Sequence, residues 1–205
     1  SIGTVMDLAT AGTTSAANAA DVLVSVTTAF GSGVGGFRQA ADIMVQVAAD
    51  SKASVESIGE AIKLASVAGE QYGATVTDVG ALIGMLANLG IQGSAAGTAI
   101  RNMFSDMSER TPKTTAIMKK FGLEFRDAIT GDMKPLLNNI QQLDTVLRKL
   151  DGKSAKNLLQ ALFSERGGKA AVAALAEYHK AMTDVNGKTL TWTETQNKLA
   201  ESIRS

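Results

Sequence analysis

Cysteine is absent from this 205-residue chain, and histidine and tryptophan occur once each, at His179 and Trp192. No disulfide, Cys-based zinc site or cysteine nucleophile is therefore available. One histidine excludes any metal site that needs two. Aromatic residues make up only 4% of the chain while aliphatic and other apolar residues bring the apolar share to 45%. A core must then be built from aliphatics, methionine and alanine, which favours closely packed helices. No apolar run approaches the roughly 20 residues of a membrane-spanning helix, and the N-terminus carries no signal-peptide pattern. The chain begins at Ser1 rather than Met, so a piece of a longer protein is expected.

Net charge is lacking as well. Lys+Arg and Asp+Glu number 20 each, which leaves no electrostatic basis for specific recognition of nucleic acid or attraction to an anionic membrane. The balance hides a split: residues 1–110 carry net −5 and residues 111–205 carry net +5. Such a dipole suits head-to-tail contact between halves or copies, but solvated helix faces explain it better.

What is abundant is alanine and glycine in the first half: residues 1–100 hold 21 Ala and 14 Gly, against 11 and 6 in the rest. That half repeats with a period of 21, residues 53–62 aligning with 74–83 and the match continuing through Gly69 and Gly90. Each unit reads as one helix. Ser54 and Thr75 are positioned to N-cap, Glu56 and Asp78 suit the positive helix end, and Gly69 and Gly90 are expected stops. Val76, Val79, Leu82, Ile83, Leu86 and Leu89 follow helical spacing. Gly59 and Gly80 lie inside these helices at a cost of about 1 kcal/mol each, so we expect a neighbouring helix to come close there. Weaker copies run through Phe37–Val47, after a glycine-rich joint at residues 31–36, and through residues 15–26.

Further on, Ser94 is expected to cap a helix through Ile100, Met103, Phe104 and Met107, and Pro112 to start one ending at Gly122. Residues 123–133 alternate briefly before Thr130-Gly131-Asp132, a pattern compatible with a small β-hairpin. Pro135 opens a periodic helix to Leu150. Ser154 is expected to cap the next to Phe163, and a long helix to run from about Gly168 to Met182. Asn186-Gly187 marks a turn, and Thr193 with Gln196 would cap a last helix. The expected fold is all-α, an array of short antiparallel helices forming a solenoid-like bundle. Its expected parts are Ala/Gly-rich repeats over 1–110, a second helical region over 111–186 packed as one unit with the first, and a C-terminal helix or tail over 187–205.

No catalytic constellation is legible. Gly152-Lys153-Ser154 and Gly187-Lys188-Thr189 lack the earlier glycine of a phosphate loop and follow helices rather than strands. Gly167-Gly168-Lys169 could offer amides to an anion, but a tight helix corner explains it better. His179 has Glu177 beside it but no serine tied to it by any sequence signal, so an exposed surface histidine is the better reading, and the carboxylates are not paired. Met85, Met103, Met107, Met118 and Met133 read as core filling. No enzyme activity and no cofactor are expected.

One stretch stands out: residues 89–103, with Gly93, Ala96, Gly97, Thr98 and Arg101 as its structural motif. Small residues there let another backbone approach, and Thr98 can bond back to a carbonyl. This stretch resembles the core region of phage tail tape measure proteins. Glu60-Ala61-Ile62-Lys63, Lys120-Phe121-Gly122-Leu123, residues 130–137 and Leu162-Phe163-Ser164-Glu165-Arg166-Gly167-Gly168 resemble other segments of that family, in the same order. Ser164 stands where the family usually has glycine. The resemblance covers roughly residues 9–182, and residues 187–205 match nothing recognised.

The resemblance implies a structural virion protein that sets tail length during tube assembly and leaves the tube when DNA is ejected. It implies tail tube and tail assembly proteins as partners, a homo-oligomer in the tail, and a place in the virion after assembly in the host cytoplasm. A fully extended helix of this length would span about 300 Å, but frequent caps and stops describe a compact pile instead. The alternative is a channel or membrane-interacting segment used in genome ejection, for which the Gly/Ala-rich residues 9–49 are the support. Asp21, Arg38 and Asp42 argue against simple spanning.

Overall fold

The computed structural model describes residues 2–31 and 36–181. The turn and helix expected over 186–205 lie outside the described residues, as does most of the glycine-rich joint. Among the described residues ten helices follow one another: α1 (Ile2–Ala11), α2 (Ala16–Phe30), α3 (Phe37–Asp50), α4 (Val55–Tyr72), α5 (Val76–Asn88), α6 (Gly93–Ser108), α7 (Pro112–Phe121), α8 (Leu136–Leu147), α9 (Gly152–Leu162) and α10 (Glu165–Ala181). The fold is an all-α bundle, and among the described residues no strand forms. None of the described helices is long and apolar enough to cross a membrane.

The repeat has a physical start. Ser54 and Thr75, both in extended backbone, accept hydrogen bonds from the amides of Ser57 and Asp78, and Asp78 returns a bond to complete a capping box. Ser15 and Thr111 cap α2 and α7 in the same way, with Pro112 in the first turn of α7. Each such cap satisfies an amide that has no partner within the helix. Gly90 ends α5 with φ +81°, and the Ile91 amide reaches back to the Leu86 carbonyl at 2.8 Å, a Schellman closure.

Several boundaries differ from expectation. Gly69 does not stop α4, which continues to Tyr72 and ends at the left-handed Gly73. The added turn carries Tyr72 onto Phe104 of α6, their rings stacked with centroids 6.4 Å apart, and this burial outweighs one glycine's low propensity. Ser94 is not a cap: α6 starts one residue earlier, after an extended Gln92 that makes no side-chain cap bond. Ser154 is not one either, because Asp151 accepts from the amides of both Lys153 and Ser154. The helix from Pro135 ends at Leu147 rather than Leu150, in a series of tight turns. The helix expected from about Gly168 begins at Glu165, three residues earlier.

The hairpin expected at 123–133 is reduced to one antiparallel bridge, Arg126 to Met133. Two backbone bonds flank the bridge, Asp127 N–H to the Asp132 carbonyl and Lys134 N–H to the Phe125 carbonyl, and side chains add to them. Asp127 accepts from the amides of Ile129 and Thr130, Arg126 donates to the Gly131 carbonyl, and the buried Asn139 donates to the carbonyls of Phe125 and Lys134.

Packing follows a spine of helices, α2 on α4, α4 on α6, and α6 on α10, with α1 and α3 against α2, α5 beside α4 and α6, and α7 to α9 around the far end. Glycine lies at each joint of that spine. A Cβ on Gly59 of α4 would run into Val22 Cγ2 of α2. Gly80 of α5 lies likewise against α3, where a Cβ would stand 3.2 Å from Val47 and 3.4 Å from Ile43. The core is aliphatic and methionine-rich, with Met44, Met103 and Met107 fully or almost fully buried.

Candidate functional site

The conspicuous stretch 89–103 forms the turn into α6 and its first half. α6 runs parallel to α4, since α5 returns the chain between them, and the two helices meet in ascending register. Gly93 lies against Glu60, Gly97 against Ala61 and Leu64, and Phe104 against Tyr72. Gly97 is the tightest point. A Cβ there would strike the Ala61 carbonyl oxygen and stand 2.9 Å from both Ala61 Cα and Leu64 Cβ. Gly93 has φ +57°, a conformation that side-chain-bearing residues seldom adopt, and its missing side chain leaves room for the Glu60 carboxylate.

The five motif residues divide between two settings. Gly93, Ala96 and Gly97 are buried in the helix contact. Thr98 is half-buried and lines an open cleft of about 700 Å³ shared with Ser94, Arg166 and Lys169. Arg101 is exposed. The arrangement is chiefly a packing surface.

The other end of α6 carries a junction that sequence reasoning missed. Asp106 Oδ2 accepts from the Ser164 amide at 2.8 Å and its hydroxyl at 2.7 Å, while the Ser164 hydroxyl accepts from the Gly167 amide. Ser164 thus caps α10 and is itself held by α6. Gly167 allows this approach, since a Cβ there would meet Asp106 and stand 2.9 Å from the Met103 nitrogen. Ser164 is therefore used, and the anionic partner at this helix start is the protein's own carboxylate. The local clue was Ser164 three residues before Gly167, with Glu165 between; its partner, 58 residues away, left no local trace.

Three exposed carboxylates are held below the ordinary carboxylate range by hydrogen bonds. For Glu56 the main cause is the Thr14 hydroxyl, for Asp127 the amides of Thr130 and Ile129, and for Asp151 the hydroxyl and amide of Ser154. Asp151 occupies the amides of Lys153 and Ser154, two of those a phosphate at Gly152-Lys153-Ser154 would need. Burial, and then the nearby Asp144 carboxylate, push the Tyr178 hydroxyl up. Asp144 is buried and pairs with Arg148 at 2.8 Å. Among the described residues no group of three or more His, Asp or Glu side chains could hold a metal ion.

Three of the five singled-out residues, Gly93, Ala96 and Gly97, thus lie buried in a helical bundle. Residues 1–164 match the sequence profile of the phage-related minor tail protein family, and the chain belongs to that family. It is also 34% identical, over 82 residues, to a tape measure protein of Pneumococcus phage Dp-1. The match takes in 40% of this chain and 7% of that relative, so the chain spans only a small part of the length of the curated protein it matches. No solved structure matches. The family relation is to structural proteins of the phage tail.

Proposed function

We propose that this chain is a non-enzymatic structural module of a tail tape measure protein, acting in tail assembly and in setting tail length. The observation that carries the reading is the family match over residues 1–164. The similarity to a named tape measure protein supports it. Within that role the module works as a folded body, because capped helices of 10 to 18 residues bury one another instead of forming a continuous rod. Residues 1–110 and 111–186 act as one unit, an idea supported by α10 lying on both α5 and α6. Gly93, Ala96, Gly97, Thr98 and Arg101 serve the architecture of α6 and bind no ligand. The partners are tail tube and assembly proteins and further copies of the same protein. Assembly takes place in the host cytoplasm, and the product resides in the virion tail.

The test is tail length by electron microscopy after in-frame duplication of residues 54–90 in a phage carrying this chain. Tails of unchanged length are expected from a folded module. Lengthening by about 1.5 Å per added residue would instead make the region extended ruler and overturn the compact reading. The tape measure role has its own check: deleting a helical stretch outside this module should shorten the tail in proportion.

A further inference from the structure

Two exposed apolar surfaces lie at opposite ends of the α2–α4–α6–α10 spine. At one end α1 packs on α2 and α3, and its outer face presents Ile2 and Met6, 85% and 51% exposed. The two residues are four apart and share one helix face. At the other end an open groove of about 790 Å³ runs between α9, the first half of α10 and the α5–α6 turn. Ala155, Leu159 and Phe163 line it together with Leu89, Ile91 and Val172. Leu89 and Val172 remain 58% and 47% exposed, so nothing within the described residues covers them.

The segments that bear these surfaces carry opposite net charge. Residues 2–50 carry Asp7, Asp21, Asp42 and Asp50 against Arg38 alone, net −3. Residues 152–169 carry Lys153, Lys156, Arg166 and Lys169 against Glu165 alone, net +3. Lys156 and Lys169 lie on the groove itself. Asp7 follows Met6 directly and is exposed. An amphipathic helix with apolar anchors at i and i+4 and an acidic flank is the shape that such a groove accepts, and opposite rim charges favour that pairing over like-with-like contact.

We propose that the occupant of the α9–α10 groove is α1 of a second copy of this chain, docked head to tail. Ile2 and Met6 enter between Leu159, Phe163 and Val172, while Asp7 approaches Lys156 and Lys169. The two surfaces differ, so the contact is heterologous. Each added copy leaves one free surface of each kind, and association is open-ended unless a rotation closes it into a ring. The proposal stands on these surfaces and charges, and holds or fails independently of the tail role.

Sedimentation equilibrium of the 205-residue chain tests it, with the Met6→Lys and Val172→Glu variants. Both side chains are exposed, and far-UV circular dichroism verifies that each variant folds. The wild-type chain is expected to gain mass with concentration, and to lose it when salt is raised to about 0.5 M. Each variant alone should associate at least about tenfold more weakly. An equimolar mixture of the two should associate again, because one supplies an intact groove and the other an intact α1. A wild-type chain that stays monomeric at all concentrations would overturn the proposal, leaving the groove to another partner. A variant that associates as the wild type does, or a mixture that gains nothing, would overturn it equally.

Discussion

At the scale of single residues, the glycines of this chain are not interchangeable, because what lies over each Cα differs. Over Gly97 is the backbone of α4, which cannot rotate aside as a side chain can. Gly97→Ala must therefore push α4 and α6 apart, at about 1–3 kcal/mol, and Gly97→Leu costs several. Gly152, in the first turn of α9, has open space around it and ordinary backbone. There Gly152→Ala should stabilise by about 0.4–1 kcal/mol by narrowing the unfolded ensemble. Urea denaturation of the two alanine variants checks both signs. A neutral or stabilising Gly97→Ala would remove the packing role assigned to that position. Asp106→Ala releases the cap of α10, and a loss of about 1 kcal/mol is expected in the same assay. The loss should be largely absent when Ser164→Ala is already present, since the two side chains form one unit.

Elements are where local chemistry and tertiary packing can be told apart. Ser15, Ser54, Thr75 and Thr111 cap their helices as short-range signals, since each serves an amide three residues ahead. Their geometry needs nothing from the rest of the fold, so Ser54 and Thr75 are legible as caps in the sequence, while Ser15 and Thr111 carry the same signal but are not among the expected caps. Gly69 misled for the opposite reason: the turn beyond it is stabilised by Tyr72 stacking on Phe104, a contact between residues 32 apart that no local window contains. The same limit applies at α6. Composition marks Gly97 as small, but only the fold reveals that the backbone over it belongs to Ala61. At α9 the expectation falls on Ser154, but Asp151 is the cap, because its two oxygens serve two amides and the Ser154 hydroxyl together.

That cap has a pH dependence. The folded Asp151 carboxyl titrates below its ordinary value of 3.8, so the unfolded chain takes up the proton first. Stability from this group is present above the ordinary value and is lost as pH falls through the lowered one. Asp151→Ala should thus lower Tm at pH 7, and the difference from wild type should narrow only below about pH 4. A difference that stays constant down to pH 2 would mean that the carboxylate's charge contributes nothing to the cap.

For the whole molecule, the spine makes stability uneven. α4 and α6 are covered on several sides, α4 by α2, α5 and α6, and α6 by α4, α5 and α10. α1 touches chiefly α2 and α3, and its outer face is open. In a stack of this kind each helix depends on its neighbours, and opening is cheapest where neighbours are fewest. The core residues agree: Ile58, Ala61, Ile62 and Ala65 of α4 and Ile100 and Met103 of α6 are fully buried. Hydrogen exchange should therefore protect the mid-helix amides of α4 and α6 most strongly, at free energies approaching global unfolding. Those of α1 should exchange through a cheaper local opening that leaves α4 and α6 closed. Gly97→Ala should lower protection across α4, α6 and α10 together, because it loosens the joint they share, while a substitution confined to α1 should leave their protection unchanged. Uniform protection from α1 to α10 would indicate a single cooperative unit and contradict the stacked picture.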